Sequence, residues 1–338
     1  APRDALELRL VQLWEELLGV QPIGVREDFF ELGGHSLIAV QLVARLRRSL
    51  GASLSMATLV RHPTVESLAA ILRGGGETSR DPLVELAPGT GRPFYCVHAL
   101  GGEVFGYVHL ARRFAAAGRP FYGLQAAAIG EAETLEEMAA RYLHRLREAQ
   151  PAGPYTLGGW SMGGVVAFEM ARQLERQGET VDLLVLLDAF APESESRPPR
   201  ADGELVALFA YELAHLLGSH IELPADFRER AAGDALSWLA AEAELLGLLP
   251  RGVDTEEIAR RFAVFRANFR ALERYAGGPC TAPVLLLKAA GSPADMGWES
   301  LLARPFEVLD LPGDHYSLLR PPLVEELAAA LRERLGKG

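Results

Sequence analysis

The apolar residues of this 338-residue chain change their period once, near position 74, and no single core satisfies both halves of the pattern. Up to that point the spacing is helical throughout. Leu6, Leu10, Trp14 and Leu17 form one stripe, Leu37, Val40, Val43, Leu46 and Leu50 a second, and Val65, Leu68 and Leu72 a third. A small helical bundle accounts for all three. Arg73 to Asp81, RGGGETSRD, then carries no large apolar residue and three consecutive glycines, which marks a flexible linker. The length agrees with two domains, because single cores seldom grow past about 250–300 residues.

Beyond the linker, short apolar runs alternate with amphipathic helices. The runs are PFYCVHAL, FYGLQA, YTLGGW, VDLLVLLDAF, APVLLLKAA and PFEVLDLPG; the helices include Leu135 to Ala149 and Val165 to Arg176. This alternation predicts a mostly parallel sheet covered on both faces. Between about 193 and 278 only helical stripes occur, among them LVALFAYELAHLL, ALSWLAAEAELLGLL and IARRFAVFRANFRALERY. An interval that long between two sheet strands predicts a helical lid insertion. Tyr211, Trp238 and Phe265 are candidates for lining a product cavity, although packing within the insertion explains them equally well. The expected domains are therefore residues 1–73, a linker at 74–81, and residues 82–338 with a lid at about 193–278.

Charge and composition exclude several classes. A net charge of -11 argues against nucleic-acid binding, which needs basic side chains gathered on one face. Hydrophobic residues make up 49% and charged residues 23%, as in chains that bury ordinary cores. The two cysteines, Cys96 and Cys280, lie in apolar stretches and read as buried, reduced thiols. No apolar run approaches the roughly 18 residues a membrane helix needs. A cytoplasmic location, as part of a longer polypeptide, is expected. No metal is expected either: His215 and His220 lack the H-E-x-x-H order of a zinc site.

The segment DFFELGGHSL, Asp28 to Leu37, ends a loop and opens a helix, with Ser36 at or beside the N-cap. In isolation such a serine is most often only a cap. A phosphodiester on it would, however, meet free backbone N–H groups and the positive end of the helix dipole. With the later segment RHPTVESLA, Arg61 to Ala69, the whole first domain resembles the peptidyl carrier domains of nonribosomal peptide synthetases. The resemblance covers residues 4–73. It implies a four-helix all-α fold and a 4′-phosphopantetheine arm on Ser36, installed by a separate phosphopantetheinyl transferase. It also implies that His35 is a surface residue and not a base.

Gly159-Trp160-Ser161-Met162-Gly163 falls between the run YTLGG and a helix, the strand–turn–helix setting of a nucleophile elbow. A serine hydroxyl there needs a base. Of the eight histidines only His315 follows the last apolar run, in the loop LPGDHYSLL. Asp188, at the end of VDLLVLLD, and Asp295, in AAGSPAD after the next run, compete as the acid; Asp310 and Asp314 read as turn caps or solvated residues. The backbone N–H of Met162 is the expected first oxyanion donor, since it follows the nucleophile.

Residues 82–338 resemble the type I thioesterases of nonribosomal peptide and hybrid polyketide synthetases, an α/β-hydrolase fold. The resemblance favours Asp188 over Asp295. It assigns the second oxyanion donor to the N–H of Leu100, with Ala99 standing where the family often has proline, and gives His98 a role in supporting that loop. It implies transfer of an acyl or peptidyl chain from the arm on Ser36 to Ser161, then hydrolysis or macrocyclisation. The implied partners are upstream condensation and adenylation domains. A nine-residue linker spans at most about 30 Å, so the carrier is expected to dock near the active-site mouth. A lipase or esterase would share the elbow but has no use for DFFELGGHSL. A non-catalytic carrier-docking protein would not need Ser161, Asp188 and His315 together. Reductive release is disfavoured, because no G-x-G-x-x-G follows a strand.

Overall fold

A computed structural model describes residues 1–34, 36–50, 54, 56–74, 81–126, 133–192, 200–216, 219–246 and 255–336. The chain forms two compact units, residues 1–80 with 201–260, and residues 81–200 with 261–338. The linker residues 75–80 lie outside the described residues.

In the first unit, α1 (Ala5–Leu18) begins where the Asp4 carboxylate accepts the Glu7 N–H and ends at Gly19, whose φ of 68° suits glycine. It is followed by α2 (Ser36–Leu50), α3 (Met56–Arg61) and α4 (Val65–Arg73), the last started by a Thr64/Ser67 capping box. This is the expected all-α fold. Leu10, Leu13, Trp14, Phe29, Leu42, Leu46, Val65 and Leu68 are its buried core, and Trp14 meets Phe29 edge-to-face at 5.0 Å. Beneath α1 the carboxylate of Glu7 is fully buried and hydrogen-bonded by Arg3 and Arg73, which ties the start of the first helix to the end of the fourth. Also in this unit are α8 (Asp202–Leu216) and α9 (Ala232–Leu245), where Trp238 packs on Phe227 at 5.1 Å.

The second unit is built on β1 (Leu83–Ala87), β2 (Phe94–Val97), β3 (Phe121–Leu124), β4 (Tyr155–Trp160), β5 (Val181–Leu187), β6 (Val284–Ala289) and β7 (Glu307–Leu311). They form one sheet in the order β1-β3-β2-β4-β5-β6-β7. Only β1 runs antiparallel, pairing Leu83 with Leu124. This strand escapes the sequence reading because Glu85 interrupts the apolar run LVELA, which sits at the sheet edge directly after the linker. Helices α5 (Val108–Ala115), α6 (Leu135–Ala149), α7 (Met162–Arg176) and α11 (Val324–Leu335) cover the sheet. Alternation along β2 divides the two faces: Tyr95 and Val97 join the core under α6 and α7, whereas Phe94 packs with Phe114 of α5 and with Phe121. From β2 the chain steps outward to β3 and then back across to β4, so the strand order reverses between β2 and β4. In open α/β sheets that reversal opens a crevice at the carboxyl ends of the strands.

The described part of the insertion holds α8, α9 and α10 (Thr255–Arg274), with irregular segments such as residues 219–224 between them. Residues 193–199, 217–218 and 247–254 of the expected lid lie outside the described residues. From Arg261 onward α10 belongs to the second unit, where Phe265 is buried and stacked on Phe269. Both cysteines are free and buried.

Candidate active site

The site in the second unit starts from a sharp bend between β4 and α7. Ser161 has φ 57° and ψ -129°, a conformation that costs a non-glycine residue about 1–3 kcal/mol. The bend is held by bonds from the Ser161 N–H to the Leu187 carbonyl and from the Gly164 N–H to the Ser161 carbonyl, both 3.0 Å. Its tightness depends on glycine. A Cβ at Gly159 would lie 2.2 Å from the Gly163 backbone, and one at Gly163 would lie 2.2 Å from the Val97 carbonyl oxygen. The bend leaves Met162 at the first position of α7, whose leading N–H groups have no partner within the helix.

Asp188 directly follows β5, buried, with φ 42°. Its two carboxylate oxygens are fully committed. Oδ2 lies 2.7 Å from His315 Nδ1, while Oδ1 accepts from the Ala289 N–H at 2.8 Å and the Ser292 hydroxyl at 3.0 Å. Burial pushes this carboxyl's pKa up, but the hydrogen bonds from His315, Ala289 and Ser292 outweigh it and hold the group below the ordinary aspartate value. Asp295 is not near this pair in its bonding: its carboxylate accepts the Gly297 N–H at 3.2 Å and closes a turn.

His315 sits in the loop after β7, its side chain about 30% exposed. Asp314 caps that loop by accepting the N–H groups of Tyr316 and Ser317, each at 2.9 Å. With Nδ1 directed at Asp188, Nε2 is the ring atom left to take a proton. Trp160, adjacent to Ser161, was not singled out by the sequence, yet its indole N–H donates to the His315 carbonyl at 2.9 Å and its ring lies 4.8 Å from the imidazole. Asp310, read as a turn or solvated residue, is exposed and also pairs with Lys288 across β6 and β7. Lys288 also donates to the carbonyl of Ser292 at 3.0 Å, which steadies the turn that serves Asp188.

The loop after β2 carries Leu100. The Ala99 carbonyl, the other end of the peptide unit that bears the Leu100 N–H, accepts from His98 Nδ1 at 2.6 Å and from the Gly102 N–H at 2.9 Å. His98 is fully buried, and burial lowers its pKa to about 4, so the ring is neutral. A neutral ring that donates from Nδ1 must accept at Nε2. The Tyr142 hydroxyl proton therefore goes to Nε2, 2.6 Å away, and not to the Gln125 carbonyl at 3.2 Å. His98 thus braces the loop and has no proton-accepting atom free for Ser161.

In the first unit, Ser36 is the opening residue of α2; its side chain and all of His35 lie outside the described residues. The preceding loop is tightly built. Gly33 has φ 94°, and a Cβ at Gly34 would lie 2.4 Å from both the Phe29 ring and the Phe29 carbonyl oxygen. Asp28 Oδ1 accepts from the Phe30 N–H at 2.7 Å, and the Phe29 N–H donates to Pro63 at 2.7 Å, which joins the loop to the segment before α4. A 15-residue helix with no acidic residue in its first turn suits a phosphodiester on a serine at its start.

Comparison with known proteins bears on both units. Residues 92–335 match the thioesterase domain model, and residues 8–72 match the model of the phosphopantetheine attachment site. Indigoidine synthase of Dickeya dadantii (strain 3937) is 36% identical across 98% of the chain, and the chain spans 23% of that protein. Among solved structures, holo-AB3403, a four-domain nonribosomal peptide synthetase bound to AMP and glycine, is 35% identical with a TM-score of 0.72 over 98% of the chain and 26% of its own length. The NocB thioesterase domain, in covalent complex with a fluorophosphonate nocardicin G analogue, is 26% identical with a TM-score of 0.54, over 73% of the chain and 96% of that domain. The chain spans about a quarter of the first curated relative it matches. Among the described residues, no helix is long and apolar enough to cross a membrane.

Proposed function

Since this chain belongs to the thioesterase-domain family and carries a phosphopantetheine attachment domain ahead of it, we propose that it performs the terminal release step of nonribosomal peptide, or hybrid polyketide, assembly. Residues 1–73 act as the carrier, 74–81 as a tether and 82–338 as the releasing enzyme, with the insertion at about 193–278 serving as its lid. Ser36 holds the arm, which supplies a thiol that presents the acyl or peptidyl chain as a thioester.

The reaction uses Ser161, His315 and Asp188 as nucleophile, base and orienting acid. As the Ser161 oxygen adds to the acyl carbonyl, its proton passes to His315 Nε2, and the imidazolium that forms faces the Asp188 carboxylate through Nδ1. The carbonyl oxygen becomes an oxyanion between the N–H groups of Met162 and Leu100. Collapse expels the thiol, which takes the proton from His315. Water, or a nucleophile within the acyl chain, then repeats the sequence on the Ser161 ester, giving a linear or a cyclic product. Upstream condensation and adenylation domains supply the chain, a phosphopantetheinyl transferase loads Ser36, and the setting is cytoplasmic.

The observation that carries this reading is the 2.7 Å bond between His315 Nδ1 and Asp188 Oδ2, with the ring of Trp160, the neighbour of Ser161, packed at a tilt against the same imidazole. The test is intact-protein mass spectrometry of the acyl-loaded chain. Ser161→Ala should retain the acyl group on Ser36 while the unaltered chain sheds it, and equal shedding by both would refute the proposal.

A further inference from the structure

The Leu100 N–H shares its peptide unit with the Ala99 carbonyl, the next unit carries the Leu100 carbonyl, and each carbonyl is held by a buried side chain from a different part of the fold. On the near side, His98 and the Gly102 N–H hold the Ala99 carbonyl. On the far side, the Leu100 carbonyl accepts from Asn268 Nδ2 at 2.8 Å. Asn268 lies in the second half of α10, the closing helix of the insertion, and is fully buried. Among the described residues its Oδ1 has no hydrogen-bond partner. A buried amide that leaves its oxygen unmatched while donating to one carbonyl carries a cost, and packing alone would favour an apolar side chain of similar volume. The contact is also sterically enforced. A Cβ at Gly102 would lie 2.7 Å from Val264 of the same helix and 2.9 Å from Ala126, so the loop lies directly against α10.

A peptide unit can turn its N–H away from a site by rotating about its flanking bonds. At Leu100 that rotation swings the Ala99 carbonyl away from His98 and the Gly102 N–H, and it pivots on the Leu100 Cα, which the bond from Asn268 to the Leu100 carbonyl anchors on its other side. We propose that Asn268 is a positioning residue for the releasing reaction: by holding the Leu100 carbonyl it keeps the Leu100 N–H aimed at the oxyanion, so that the donor is set before the acyl chain arrives. This deepens the proposed function and rests on its assignment of Ser161 and Leu100.

The test compares turnover of hexanoyl-N-acetylcysteamine with inhibition by pentyl trifluoromethyl ketone. Ser161 adds to the ketone carbon, its proton goes to His315, and the former carbonyl oxygen becomes the anion. Asn268→Asp cannot donate to Leu100, and Asn268→Leu is included because a buried carboxylate can disturb folding. In either variant, kcat should fall ten- to a hundredfold with KM within twofold, and the ketone should inhibit more weakly by a similar factor. Wild-type kcat, or a fall in kcat with undiminished ketone affinity, would overturn the proposal, since a purely structural loss does not weaken oxyanion binding selectively. Ser161→Ala separates the two levels. If it still turns over the thioester, the triad reading fails and the latch with it; if it is inactive while the Asn268 variants bind the ketone normally, only the latch fails.

Discussion

Trp160 and His315 are joined twice: the indole N–H holds the histidine's carbonyl at 2.9 Å, and the two rings lie 4.8 Å apart with an interplanar angle of 35°. The residue before the proposed nucleophile thereby holds the proposed base. One hydrogen bond and one aromatic contact together amount to about 2 kcal/mol. Trp160→Leu should lower kcat/KM roughly 30-fold, and Trp160→Phe, which keeps a ring, should lose less. Steady-state kinetics on a soluble acyl thioester decide this, and equal losses in the two variants would remove the ring-contact contribution.

Asp188 and Asp295 were the competing acids, and their bonding differs enough to separate them by mutation. Asp188→Asn should cost about 10³–10⁴-fold in kcat, because the amide cannot hold His315 in the same tautomer. Asp295→Asn should stay within threefold, since its carboxylate only closes a turn with Gly297. The depressed pKa of Asp188 also has a sign. Its carboxylate stays ionised across the neutral range, and its contribution to stability fades only as pH falls below the ordinary aspartate value toward the lower native one. A pH titration of unfolding should show that fade in the wild type and not in Asp188→Asn.

Ser36→Ala should abolish the mass increase produced by coenzyme A and a phosphopantetheinyl transferase. Ser161→Ala should gain that mass normally. Labelling that persists in Ser36→Ala would reassign the attachment residue.

Glu7 provides the clearest pH signal in the carrier. Hydrogen bonds from Arg3, then Arg73, lower its pKa from the ordinary 4.5 to about 2. A depressed pKa stabilises the fold fully above the unfolded value, and that stabilisation is lost as pH falls through the native one. Glu7→Gln should therefore speed hydrogen exchange in peptides from residues 1–73 of the intact chain at neutral pH. The gap from wild type should narrow between about pH 4.5 and pH 2. A gap that stays constant over that interval would show that the Glu7 charge carries no weight there.

Much of this was legible before any coordinates. The change of apolar period separates helical from strand–helix patterning because periodicity is local. Chain order singles out His315 for a similar reason, since only one histidine follows the last strand. Trp160, Ser292 and Asn268 were invisible because their contacts are made across the fold, over 155, 104 and 168 residues of chain respectively. The strand β1 is hidden because it follows the linker directly and Glu85 interrupts LVELA, whereas Asp310 reads as solvated and is exposed, and only its pairing with Lys288 on the neighbouring strand is out of reach of the sequence.

The close approach at Gly159 and Gly163 has an evolutionary corollary. With Cβ positions 2.2 Å from main-chain atoms at both residues, the corner that carries Ser161 offers selection no methyl group to vary, and any substitution there damages the scaffold before it can alter chemistry. Diversity of product must then be written elsewhere, in segments that can change volume without moving the corner. A designer seeking a new release specificity should leave the hinge of strand and helix untouched and randomise the inserted helices.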